Sequence, residues 1–75
     1  MSGIQIPEKS YLDGCDRVRR RGGKRWKSKD GKRLYEWDDL HGEIEVYTSK
    51  GDHLGAMDAS GKVIKDAIKG RKIDV

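Results

Sequence analysis

The residues best equipped for chemistry in this chain lie between Glu36 and Glu45. That ten-residue stretch holds five carboxylates (Glu36, Asp38, Asp39, Glu43 and Glu45), one histidine (His41) and no Lys or Arg. The whole chain carries +4, with 17 Lys and Arg against 13 Asp and Glu. A carboxylate and an imidazole are the pair that general acid–base catalysis uses, each positioned group contributing roughly 10²–10⁴-fold in rate. Crowded carboxylates raise one another's pKa, and an acidic neighbour raises that of a histidine. The stretch is therefore either a site or a repulsive loop, and its spacing favours a site.

Positive charge is concentrated just upstream. Seventeen residues from Arg17 to Arg33 hold ten Lys or Arg and one acid, Asp30. Such density suits a polyanion, because each neutralised phosphate releases condensed counterions. Arg19, Arg20, Arg21, Lys24, Arg25, Lys27, Lys29 and Lys32 are the expected phosphate contacts, although any one of them read alone is plain solvated charge. Trp26 sits inside the run and suits either base stacking or closure of a sheet.

Seventy-five residues, 33% hydrophobic and 40% charged, allow one small domain with a modest core. The single Cys15 excludes an internal disulfide and a cysteine-based zinc site, and its bland reading is a free thiol. No apolar run has the length of a membrane span or a signal-peptide core, so a soluble monomer without membrane contact is expected. Residues 1–21 form a lead-in, with Pro7 blocking a helix before Ser10. Ser10 is placed to cap a short helix over 11–20, closed by Gly22 and Gly23. Gly14 inside that helix counts against it. Residues 22–75 form the body of what is one domain overall. Turn signals at 29–32, 41–42, 49–52 and 59–62 separate runs of about six residues, the rhythm of antiparallel hairpins. Strands are predicted near 24–28, 33–38, 43–48, 53–58 and 62–66, with another near 71–74. The fold class is thus mainly β (small α+β), an antiparallel meander with a short N-terminal helix.

The register of the central hairpin follows from burial. A four-residue loop at 39–42 sets Trp37 opposite Ile44 and Tyr35 opposite Val46, an apolar and coherent face. A slip of one residue would put Trp37 against Glu45 and mix the faces. Alternation then gathers Glu36, Asp38, Glu43 and Glu45 on the other face, the solvent side, with His41 at the rim. Tyr47 falls on that face too. Like charges opposed on a sheet cost on the order of 0.2–1 kcal/mol per pair, so the arrangement calls for a function or for cover from elsewhere. His53 reads as a surface or rim residue.

A phosphate-holding surface beside a carboxylate–histidine cluster suits RNA cleavage by the substrate's own 2′-hydroxyl. One group takes the hydroxyl proton, another protonates the leaving 5′-oxygen, and a cation stabilises the phosphorane. No cofactor or metal is required, because the nucleophile belongs to the substrate. Carboxylates do suit magnesium, whereas two separated histidines are a poor zinc set.

The string Tyr35-Glu36-Trp37-Asp38, then His41-Gly42-Glu43-Ile44-Glu45, resembles the cytotoxic ribonuclease domain of ribosome-inactivating colicins and cloacin. Lys24-Arg25-Trp26, Gly51-Asp52-His53-Leu54-Gly55, Met57-Asp58 and Arg71-Lys72-Ile73 extend the likeness over residues 22–73. The resemblance implies a strongly twisted sheet that enters the decoding site of the bacterial ribosome. It implies one metal-free cut in 16S rRNA that halts translation. By the same resemblance Glu45 is the base, His41 the acid, Asp38 its orienting partner and Arg71 the phosphate cation, with Glu43 in support. It further implies an acidic immunity protein as partner, and delivery to the cytoplasm of a target bacterium as part of a toxin. Two other readings stay open from the residues alone. One is a non-catalytic RNA- or ribosome-binding module. The other is a magnesium-dependent nuclease that uses the carboxylate face.

Overall fold

The computed structural model describes residues 3–19 and 23–75. Among the described residues six strands, β1 (Asp16–Val18), β2 (Arg25–Lys27), β3 (Arg33–Asp38), β4 (Glu43–Thr48), β5 (His53–Met57) and β6 (Val63–Asp66), form one open sheet in sequence order. Every neighbouring pair is antiparallel, so the chain is a pure meander. The predicted strand near 71–74 is replaced by an isolated bridge between Asp52 and Lys72. Among the described residues, no helix is long and apolar enough to cross a membrane.

The predicted N-terminal helix is only a 3-10 turn at Tyr11–Gly14. Ser10 does cap it, with a reciprocal bond from its own N–H to Asp13. A cap signal marks a helical start and not a length. Gly14 withdraws helix propensity after one turn, and Asp16–Val18 gain a full ladder against β2 instead. Arg17 then lies over the Trp26 ring, 5.2 Å from its centroid, a favourable cation–π distance.

The β3–β4 hairpin has the register that burial demands: Tyr35 opposite Val46, Trp37 opposite Ile44, Glu36 opposite Glu45, Asp38 opposite Glu43. The first four line one face. Tyr35, Ile44 and Val46 join Leu12, Trp26 and Met57 in the core, with Ile6, Cys15 and Trp37 packed against it. Residues 3–15 cover this face. Ile4 exchanges backbone and side-chain bonds with the hairpin tip, through Asp39 O at 2.7 Å and the Trp37 indole at 2.7 Å. Tyr11 bonds Ala59 O and meets Tyr35 edge-on.

The opposite face is only partly open to solvent, with Glu45 buried and Glu36, Asp38 and Glu43 half-buried, which corrects the expectation from alternation. Registers from β2 to β6 align one row across it: Arg25, Glu36, Glu45, Ala56, Lys65. The segment after β6 folds back over part of this row. His53 N–H bonds Arg71 O, Ile73 N–H bonds Gly51 O, and the Arg25 guanidinium reaches Asp74 O at 2.7 Å. Gly51 permits that return, since its φ is +93° and a Cβ there would strike Ile73 O.

Arg25, expected on the phosphate-binding surface, is buried instead and donates two bonds to Glu36 at 2.9 and 2.7 Å. Alternation within β2 turns it onto the acid face, while its neighbour Trp26 enters the core. Removing one partner of a buried charge pair strands the other. Arg25→Ala is therefore expected to cost on the order of 3 kcal/mol, and exposed Lys27→Ala no more than about 0.5 kcal/mol. Urea unfolding of the two variants checks the contrast, and equal midpoints would contradict it.

Candidate active site

The hairpin tip holds the first functional pair. The Asp38 carboxylate accepts backbone N–H bonds from Leu40 at 3.0 Å and His41 at 3.2 Å through one oxygen. Its other oxygen meets His41 Nδ1 at 2.8 Å. The acid thus folds the loop and orients the ring in one stroke. Nδ1 being occupied, Nε2 is the atom His41 offers to a substrate, and the side chain is half exposed. Burial by itself pushes the Asp38 carboxyl up. The His41 ring and the two backbone donors outweigh it and hold the carboxyl below the ordinary aspartate value.

Glu45 lies on the same face in the middle of β4 and is buried. Its Oε1 contacts His53 Nε2 at 2.8 Å and Arg71 at 3.5 Å. Arg71 comes from the returning tail and is partly exposed. Burial raises the Tyr47 hydroxyl pKa, and the Arg71 guanidinium opposes that rise without cancelling it. Glu43 Oε1 is met by Lys65 Nζ at 2.8 Å, and this contact raises the Lys65 pKa. Each of the four carboxylates therefore has its own basic partner: Arg25 for Glu36, His41 for Asp38, Lys65 for Glu43, His53 with Arg71 for Glu45.

Asp38, His41, Glu45, His53, Lys65 and Arg71 line one cavity of about 260 Å³. A larger groove of about 560 Å³ runs between residues 3–6 and the hairpin. It brings Lys24 and Asp39 to its wall but no acid–base pair. Asp38, His41 and Glu43 also present ligand atoms within 4.8 Å of one another, a set that could hold a cation. All three residues are already engaged, Asp38 with His41 and Glu43 with Lys65, so an ion there would compete with both contacts.

The structure brings together Asp38, His41, Glu43, Glu45 and Arg71 from the sequence reading. Of the expected RNA contacts, Arg19, Lys24, Lys27, Lys29 and Lys32 are exposed near one edge of the sheet, with Lys29 paired to Asp16. Arg25 and Trp26 are buried, which removes Arg25 as a free phosphate contact and Trp26 as a stacking platform. Arg20 and Arg21 lie outside the described residues.

His53 and Lys65 were missed as cavity residues. His53, read as a surface residue, is 6% exposed. The ladder between β4 and β5 carries a bulge between Val46 and Tyr47, so Ala56 faces Glu45, Gly55 faces Val46, and His53 faces Tyr47. The bulge turns His53 onto the acid face, where strict alternation would not put it. Lys65 was legible in principle, since it pairs with Ala56 and Ala56 with Glu45.

The family described as Cytotoxic matches residues 7–74 of this chain. The chain belongs to the Cytotoxic family. Among curated relatives, Colicin E3 of Escherichia coli is 53% identical over 36 residues, 47% of this chain and 6% of that protein. Cloacin of the same species is 50% identical over 48 residues, covering 59% and 9%. Colicin-E6 is 50% identical over 40 residues, covering 49% and 7%. The match thus spans less than a tenth of each relative's length. This Cytotoxic domain is of colicin and cloacin type, and the family match takes in β1 and the 3-10 turn as well as the hairpin.

The Asp38 geometry has a pH consequence. A carboxyl whose folded pKa is depressed stabilises the fold above its unfolded value, near 4, and that contribution is lost as pH falls through the lower folded value. The native chain is expected to lose stability more steeply than Asp38→Asn on acidification from about pH 5 to about pH 3. Urea unfolding at the two pH values checks this, and parallel losses would contradict it.

Proposed function

We propose that the chain is the catalytic domain of a ribonuclease toxin that makes one metal-independent cut in 16S rRNA at the decoding site of the bacterial ribosome. The observation that carries this reading is the shared cavity of Glu45, His41 and Arg71. A buried carboxylate, an imidazole held by Asp38 and a guanidinium face the same small space.

In this mechanism Glu45 takes the proton of the ribose 2′-hydroxyl through Oε2, since Oε1 is committed to His53 and Arg71. The 2′-oxygen attacks the adjacent phosphorus, and the bond from phosphorus to the 5′-oxygen breaks. His41 Nε2 delivers a proton to that leaving oxygen, with Asp38 stabilising the charged ring. Arg71 stabilises the phosphorane oxygens where charge develops. The products are a 2′,3′-cyclic phosphate and a 5′-hydroxyl. The exposed basic residues at the β1–β2 edge supply sequence-independent attraction to phosphates. Membership of the Cytotoxic family supports the ribosome as target, delivery into the target cell's cytoplasm from a longer toxin, and an acidic immunity protein as partner. The paired state of Asp38 and Glu43 supports the metal-free route over the magnesium reading.

Incubation of bacterial ribosomes with the chain, followed by sizing of the rRNA, tests the reading. A single small 3′ fragment of 16S rRNA with arrested translation is expected. Cleavage of a decoding-site oligonucleotide is expected to survive EDTA. His41→Ala and Glu45→Ala should each lower cleavage by roughly 10²–10⁴-fold while ribosome binding persists. Intact rRNA and unimpaired translation would contradict the proposal.

A further inference from the structure

We propose that His53 is a positioning residue for the general base, a neutral imidazole that fixes Glu45 and ties it to the segment carrying Arg71. The inference rests on the reading of Glu45 as base. His53 Nδ1 accepts the backbone N–H of Ile68 at 2.9 Å. A nitrogen that accepts cannot carry a proton, so the ring proton of the neutral form sits on Nε2. Nε2 therefore donates to Glu45 Oε1, 2.8 Å away. A doubly protonated ring would set Nδ1–H against the Ile68 N–H, in a side chain only 1% exposed. Tyr47 packs edge-on against the ring, centroids 5.3 Å apart, and closes off rotation.

The same residue holds the tail twice. Its side chain binds Ile68, and its main-chain N–H binds Arg71 O at 3.0 Å. Arg71 N–H closes the turn onto Ile68 O at 3.1 Å. His53 thereby sets both the base and the backbone from which the phosphate cation projects. Its burial keeps it from the substrate, so it acts through Glu45 and Arg71. The donated bond also reserves Oε1, which leaves Oε2 directed to the 2′-hydroxyl. Misplacing a reacting group by about 1 Å costs on the order of 10²-fold in rate, the scale expected when this tether is cut.

Two measurements test it. Ring ¹⁵N spectra of the full chain, with His53 assigned by comparison with His53→Gln, should show the neutral Nε2–H tautomer at neutral pH. An imidazolium or the Nδ1–H tautomer would overturn the proposal, whatever the chain cleaves. In single-substrate kinetics on decoding-site RNA, His53→Leu is expected to lower kcat on the order of 10²-fold with KM little changed. His53→Gln, whose amide still donates to Glu45, should recover most of that loss. Native-like kcat in His53→Leu, or a His53→Gln chain no faster than His53→Leu, would overturn it. His53→Gln against the native chain decides the matter if His53→Leu does not fold. A native chain that cleaves nothing would sink the function itself, and the ring spectra would still report the tautomer.

Discussion

Two pairs of carboxylates face each other across the central hairpin, Glu36 against Glu45 and Asp38 against Glu43. Left alone, each pair is repulsive, and the hairpin register cannot relieve it because the other face is core. The remaining elements supply the compensation, each from a different distance in sequence. Asp38 is answered three residues away by His41, Glu36 by Arg25 from β2, Glu43 by Lys65 from β6, and Glu45 by His53 and Arg71 from β5 and the tail. The acid face is thereby a set of assembled ion and hydrogen-bond pairs whose formation requires the whole meander.

That requirement links stability to chemistry. The sheet stacks its core on one side under residues 3–15 and its polar network on the other, partly beneath the returning tail. Such a division suits a chain with few apolar residues, since the polar face is closed by specific contacts rather than by hydrophobic bulk. Polar networks in a low-dielectric setting are worth most when every member is satisfied. The imidazole of His41, the guanidinium of Arg71 and the ammonium of Lys65 stay accessible at the cavity, and the first two are those proposed to meet the leaving oxygen and the phosphate.

Some of this was legible in the residues and some was not, for identifiable reasons. The β3–β4 register followed from burial alone, because Tyr35, Trp37, Ile44 and Val46 leave one alignment that keeps the faces separate. The strands from β3 to β6 followed from turn signals. The N-terminal helix did not survive, because Ser10 announces a helical start and Gly14 with the β2 ladder ends it after one turn. Charge density identified a basic run but not which members turn inward, and three residues of β2 send Arg25 to one face and Trp26 to the other. His53 was hidden by a bulge that reverses side-chain direction, and the tail's path by its lack of any periodicity, although the resemblance already marked Arg71.

In the proposed mechanism Glu45 and His41 are proton carriers for a nucleophile that the RNA itself provides. The most direct test is the chemistry of the new RNA ends. That mechanism leaves a 2′,3′-cyclic phosphate on one fragment and a 5′-hydroxyl on the other. A 5′-phosphate paired with a free 3′-hydroxyl would mean attack by water instead, and would contradict it.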